Sequence, residues 1–291
     1  MLYDRNSIGN RIFDVFNWLV LFLLAFLCIF PFINVIAGSF TTVQEFMARQ
    51  IIIIPRTFSL DAYRFILSTP TIFRALGVSV GVTVVGTAVS VLFTALMAYA
   101  LSRKYLPGRR PLNFMVFFTM LFGGGMIPFF LVVQSLGLIN SYWSLILPSA
   151  ISAWNLIIMR NFFNALPESL EESAKLDGAN DIVVFFRIVV PLSMASIATI
   201  ALFYAVARWN GFFHALLFLH DHNMWPIQIL LRQIVIVAAG IQGDVTAVDI
   251  IPPAQTVQMA VIVVATVPIL LVYPFVQRHF VKGALIGSVK G

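Results

Sequence analysis

Glu172-Ser173-Ala174-Lys175-Leu176-Asp177-Gly178-Ala179, followed by Ile188-Val189-Val190-Pro191, is a charged island in an oily chain. Glu168, Glu171, Glu172, Lys175, Asp177, Asp181 and Arg187 crowd into it. The 291 residues around and including it are 60% hydrophobic and 10% charged, with a mean hydropathy of +0.96. A soluble domain carries about 25% charged residues, so the bilayer is the expected solvent. Charges gathered at one place in such a chain point to a docking site on the aqueous side.

The island has a local grammar. Leu166-Pro167-Glu168 opens a helix, with proline suited to the first turn and acids favoured at the positive dipole end. That helix is predicted to stop at Gly178, which tolerates positive φ. A second short helix is predicted from about Asn180, ending before Pro191. The product is a helix–Gly–helix elbow over 166–191, with Leu170 and Ala174 four apart on one face. A merely amphipathic surface loop explains the same residues, and spacing alone leaves both readings standing.

Outward from the elbow, apolar runs reach the ~20 residues that a helix needs to cross the hydrocarbon core. Backbone groups in lipid must be satisfied internally, and continuous apolar runs rather than alternation select helices over a barrel. Six spans are predicted, roughly 13–38, 75–101, 112–134, 142–163, 192–219 and 257–277. The run 16–35 is too long for a signal sequence and lacks a small-residue cleavage site, so it is read as a span. The chain divides into 1–74, an N-terminal span and external excursion; 75–282, a helical core carrying the elbow; and a tail, 283–291. A second mixed segment, 220–256, contains Trp225-Pro226 and Pro252-Pro253.

Orientation follows from basic residues, which stay on the cytoplasmic side in short loops. Arg103, Lys104, Arg109 and Arg110 follow the second span without an acid, and Arg5, Arg11, Arg278, Lys282 and Lys290 flank the ends. Both termini and the elbow are therefore expected in the cytoplasm. The net charge of +6 is assigned to orientation, not to nucleic acid. The single cysteine, Cys28, excludes a disulfide framework. Gly77 and Gly81 have the small-x-x-x-small spacing of close helix contacts in lipid. Gly123, Gly124 and Gly125, before Pro128, are expected to break or bend the third span, lining a cavity or sitting at a helix crossing.

No catalytic constellation emerges, and no cofactor or metal is assigned to the chain. Gly81 and Gly86 have phosphate-loop spacing, but Thr87 stands where the lysine belongs. His220 and His222 could bind a metal at i, i+2 spacing, or belong to a solvated loop with His214 nearby. Asp221, Asn223, Trp225 and Gln228 suit contact with a delivery protein or an ordinary polar loop with an interfacial tryptophan.

The island resembles the coupling motif of ABC importer permeases, E-A-A-x-x-x-G, nine residues, then I-x-L-P. Glu172, Ala174, Gly178, Ile188 and Pro191 fall on the pattern, with Ser173 and Val190 as mild departures. Ala98 to Lys104 and the ending from Lys282 to Gly291 are similar to sugar permeases of binding-protein-dependent transporters. Gly123 to Pro128 and Leu138 to Trp143 resemble the branch that handles complex or polymeric saccharides.

The resemblance implies an all-α membrane protein of six transmembrane helices, the type I ABC importer permease fold, in the bacterial cytoplasmic membrane. ATP would be bound by separate ATP-binding cassette subunits seated on a cytoplasmic elbow, where Glu172 and Asp177 make polar contacts or cap helices. Gly178 would permit the bend, with Leu170 and Ala174 filling the partner's cleft. A second permease subunit would complete the pore, and an extracytoplasmic solute-binding protein would deliver a saccharide, acidic and uronate-containing.

Arg208 lies deep in the fifth span, where a charge usually faces a polar cavity. With Trp209, Asn210 and Phe212 it is a candidate for the substrate path. Snorkelling, or pairing with a partner subunit, explains Arg208 equally well. An ion-coupled secondary transporter needs ionisable residues in several spans, and Arg208 is the one convincing case. An ABC permease for a solute other than sugar is the remaining alternative.

Overall fold

The computed structural model describes residues 8–49, 51–238 and 255–288. Arg5, Pro252-Pro253, Lys290 and the end of the tail lie outside them. By contacts the chain divides into two compact units, Met1–Pro70 with Ile234–Ala265, and Thr71–Gln233 with Thr266–Gly291.

In the first unit, α1 (Ile8–Ser39) passes through Pro31 and exposes Phe16, Leu19 and Phe22 along its length. Polar ties then fold the excursion. Thr42 caps α2 (Val43–Ala48), and the Glu45 carboxylate accepts from the amides of Arg56 and Thr57 at 2.9 and 2.8 Å and from the Thr57 hydroxyl at 2.6 Å. Those bonds, the Thr57 hydroxyl foremost, hold the Glu45 carboxyl down to about 2. Tyr63, on α3 (Asp61–Ser68), stacks on Phe40 at 4.8 Å and shares a 2.8 Å hydrogen bond with Ser39.

In the second unit, α4 (Pro70–Ser102) is the long organising helix. Its small polar residues hold other elements: Ser79 accepts from the Ile227 amide at 2.8 Å, and Thr94 shares a 2.7 Å bond with Tyr204. Among the described residues no atom stands within 4 Å of a Cβ at Gly77 or Gly81, so the close approach expected there is not made among them. It is made at Gly86, against the Arg208 side chain.

The third predicted span is two helices, α5 (Arg109–Leu121) and α6 (Met126–Ser135), bent by 119°. Gly125, at φ +83°, turns the chain as the glycine run implies. The fourth is not continuous: α7 (Trp143–Ile146) is separated from α8 (Ala153–Asn164) across Pro148. Proline removes a donor and clashes with the preceding turn, and hydropathy does not register this because the flanking residues are apolar.

The elbow follows as α9 (Glu168–Leu176), α10 (Asp181–Val184), a π-turn over Phe185–Val189, and α11 (Val190–Leu192). The second helix therefore runs through Pro191 instead of ending before it. The wider π-turn absorbs the donor that Pro191 lacks. After an 83° bend comes α12 (Met194–Asn210), then α13 (Phe213–Phe218) beyond Gly211.

The segment read as mixed and external contains α14 (Ile227–Ala238), and α15 (Gln255–Ser288) covers the last predicted span. Among the described residues, two helical stretches, Arg11–Ser39 and Pro70–Ser102, are long and apolar enough to cross a bilayer; counting each bent pair as one span gives four.

Candidate functional site

Two features of the second unit carry chemistry. The first is the elbow. α9 ends in a Schellman closure: Gly178, at φ +84°, donates to the Lys175 carbonyl at 3.0 Å, and Ala179 to that of Ala174 at 2.9 Å. Asn180 then caps α10, accepting from the Val183 amide at 2.9 Å. Gly178 and Asn180, two positions apart, thus end one helix and begin the next.

The elbow's inner face packs on a core of Tyr99, Leu101, Phe163, Val184, Phe185 and Val189, with Ala174 and Ile188 against it. Glu172, Asp177 and Pro191 are exposed. Leu170 is partly open at 41%, but Leu176 at 89% and Ile182 at 68% are the most exposed apolar side chains of the elbow. Hydropathy offers no signal for that, since apolar residues are expected to hide.

The acid buried in the elbow is Glu171, not Glu172, and it pairs with Arg103 just past α4. Arg103 lies over the Tyr99 ring at 4.6 Å and donates through Nε to the Ser102 hydroxyl at 2.9 Å. Lys104 meets Glu168 at 2.5 Å. Tyr105 donates to Asp181 at 2.8 Å, and Lys175 bonds Asp181 at 2.9 Å and the Tyr105 hydroxyl at 3.1 Å. These bonds lower the Glu168 and Asp181 carboxyls and raise the Lys175 ammonium, Lys104 being the main cause for Glu168, Lys175 for Asp181 and Asp181 for Lys175. The basic turn after α4 is therefore the elbow's mount. Charge complementarity between 103–105 and 168–181 is the signal that could have found it.

The second feature is a cavity of about 740 Å³. Its walls are Trp154 and Asn155 at the start of α8, Phe203, Tyr204 and Asn210 on α12, and Phe212, Phe213 and His214 beyond. Arg208 is among its lining residues, and no carboxylate or lysine of the described residues lines it. Asn210 and Phe212 stand here as candidates placed together, whereas Trp209 is buried and outside the lining. Trp154 and Asn155 escape a reading focused on the fifth span.

Arg208 itself is committed inward. Its guanidinium donates to the Leu145 carbonyl at 2.7 Å, to the Ser90 hydroxyl at 2.6 Å, and more weakly to the carbonyls of Ile146 and Ser149 at 3.4 Å. These carbonyls flank the break at Pro148, where a helix end leaves acceptors without partners. A cation at a helix C-terminus is favoured. The loop nearby is tied by Asn140, at φ 57°, whose side chain accepts from the amides of His220 and Asp221 at 3.2 and 3.0 Å. His222 packs edge-on to Trp225 at 4.2 Å, and among the described residues no three potential ligands gather as a metal site. Trp225 is buried, its indole N–H on the Leu219 carbonyl at 3.0 Å, and Asn223 accepts from Arg74.

The second unit thus joins apolar helices broken around a cavity to a glycine-hinged elbow. No family model matches the chain. The polygalacturonan/rhamnogalacturonan transport system permease protein YtcP of Bacillus subtilis strain 168 is 62% identical over 284 residues, covering 97% of this chain and 99% of that one. Protein LplC of the same organism is 54% identical over 289 residues, covering 99% and 98%. A chain of a bacterial ABC transporter involved in the import of the acidic polysaccharide alginate superposes with a TM-score of 0.86 at 32% identity, covering 94% and 98%. The chain belongs to the permease subunits of ABC transport systems.

Proposed function

We propose that the chain is a pore-forming subunit of an ATP-driven importer that carries acidic, uronate-containing oligo- or polysaccharide of the pectin type across the cytoplasmic membrane. The observation that carries this is the 62% identity, over nearly the whole chain, to a permease named for polygalacturonan and rhamnogalacturonan. The cavity's composition supports it. Aromatic rings offer faces for sugars, Asn155 and Asn210 offer hydrogen bonds, and a lining without carboxylates does not repel an acidic chain. Trp154, Asn155, Asn210 and Phe212 contact the passing saccharide. Arg208 contributes positive potential while it braces the helix break, and Trp209 packs behind it.

In this reading the six spans are those at 13–38, 75–101, 112–134, 142–163, 192–219 and 257–277, an even number, and the basic residues 103–110 keep the elbow and both termini on the cytoplasmic side. A separate ATPase subunit seats on the elbow, with Leu176 and Ile182 entering its cleft beside Leu170 and with Glu172 and Asp177 at the rim. Gly178 holds the bend. A second permease subunit closes the pore, and an extracytoplasmic binding protein supplies the sugar. The test is uptake into proteoliposomes holding the assembled complex, with labelled oligogalacturonides and neutral maltooligosaccharides as competing substrates. ATP-dependent uptake confined to the acidic sugars is expected. Equal uptake of both, or uptake driven by an ion gradient without ATP, would overturn it.

A further inference from the structure

We infer that Arg103, Lys104 and Tyr105 form a latch that makes the elbow and α4 one mechanical piece, so that displacement of the elbow is delivered to the cavity wall through α4. The inference rests on the function proposed above.

Three consecutive residues reach three different points of the elbow. Arg103 pairs with Glu171 and Lys104 with Glu168, both on α9, while Tyr105 bonds Asp181 at the start of α10 and Lys175 of α9. The latch therefore straddles Gly178 and grips both arms. Its central pair is buried, Arg103 9% and Glu171 8% exposed. Burying two charges is costly, and a buried ion pair is often no more stabilising than apolar residues of the same size. What such a pair supplies is orientation: planar guanidinium and carboxylate meet in few geometries, and Tyr99 below and Ser102 beside it restrict Arg103 further.

The other end of the piece is at the cavity. α4 rises about 1.5 Å per residue, which puts Ser90 roughly 20 Å from the latch. There Ser90 holds Arg208, and Thr94 holds Tyr204, whose hydroxyl also accepts from the Ser152 amide at 2.9 Å. Tyr204 and Ser152 line the cavity. A stiff helix bonded at one end to the elbow and at the other to the cavity wall is a contiguous physical route for coupling.

The test uses the whole complex in proteoliposomes and reads three quantities: ATPase-subunit co-purification, ATP hydrolysis, and saccharide taken up per ATP. Arg103→Gln and Glu171→Gln should retain co-purification and hydrolysis, while uptake per ATP falls about tenfold. Arg103→Lys should recover part of the ratio. Because the buried variants can misfold, the exposed pair supplies a second line: Lys104→Glu should lower the ratio and Lys104→Glu with Glu168→Lys restore it. Leu176→Asp is the contrast, expected to abolish co-purification itself. An unchanged ratio in Arg103→Gln and Lys104→Glu overturns the latch, as does loss of ATPase binding matching Leu176→Asp, which would mean the residues merely fold the elbow. An unaltered chain that binds no ATPase subunit overturns the proposed function, and the latch with it.

Discussion

Gly178 and Arg208 show how much a single position decides. Among the described residues no atom lies within 4 Å of where a Cβ at Gly178 would stand, so its constraint there is conformational. At φ +84° an ordinary L-residue costs about 1–2 kcal/mol, asparagine less and a β-branched residue more. Gly178→Asn should therefore keep saccharide uptake near that of the unaltered chain, whereas Gly178→Val should uncouple hydrolysis from uptake although the protein still inserts. Equal uptake by the two variants would show that the left-handed turn is dispensable. Arg208 is the opposite case, governed by its surroundings. A Cβ at Gly86 would sit 2.7 Å from its Cδ and Nε, and the guanidinium is spread over one hydroxyl and three carbonyls. Lysine cannot reproduce that fork. Arg208→Lys and Gly86→Val should each destabilise the detergent-solubilised protein by about 1–2 kcal/mol, read as a lower thermal midpoint, and the double variant by less than the sum because both loosen the same contact. The depth of Arg208 is legible in the sequence; its partners are not, because backbone carbonyls freed by Pro148 leave no mark in residue identity.

At the scale of elements, the elbow is legible because its signals are local. Pro167, Gly178 and Asn180 act on residues within one turn, and the structure places helix start, stop and restart where they imply. The latch is not, since Arg103 and Glu171 are 68 positions apart and only the fold brings them together. The broken fourth span is missed for a different reason: an average over an apolar window is blind to one proline. Among the contacts that close the excursion, the Glu45 carboxylate bridges α2 to Arg56 and Thr57. Its carboxyl is depressed to about 2 in the folded chain, so the stabilisation is fully present above glutamate's ordinary pKa. It is lost as pH falls from there towards about 2. Protection of the Arg56 and Thr57 amides, their hydrogen exchange measured against the intrinsic rate at each pH, should fall over that acid range and stay flat above it. Glu45→Gln should bring the low protection to neutral pH; unchanged protection in that variant would remove Glu45 from the closure.

For the whole molecule, composition and charge suffice to name the solvent, but the cavity is assembled from segments that hydropathy treats as separate. Trp154 and Asn155 come from one side of the Pro148 break, Asn210 from the end of α12 and Phe212 from the turn after it. Trp154→Ala and Asn155→Leu should raise the KM for acidic oligosaccharide uptake with ATPase-subunit binding unaffected, the mark of groups that touch cargo and not the drive. A changed ATPase-subunit affinity with constant KM would move them out of the path. The exposure of Leu176 and Ile182 bears also on how the protein is made. Two large apolar side chains stand open to water at the tip of a polar elbow, and such a surface invites aggregation until something covers it. On the proposed function, a newly inserted chain is therefore at its most vulnerable before an ATPase subunit covers these two side chains, and their exposure marks an orphan subunit.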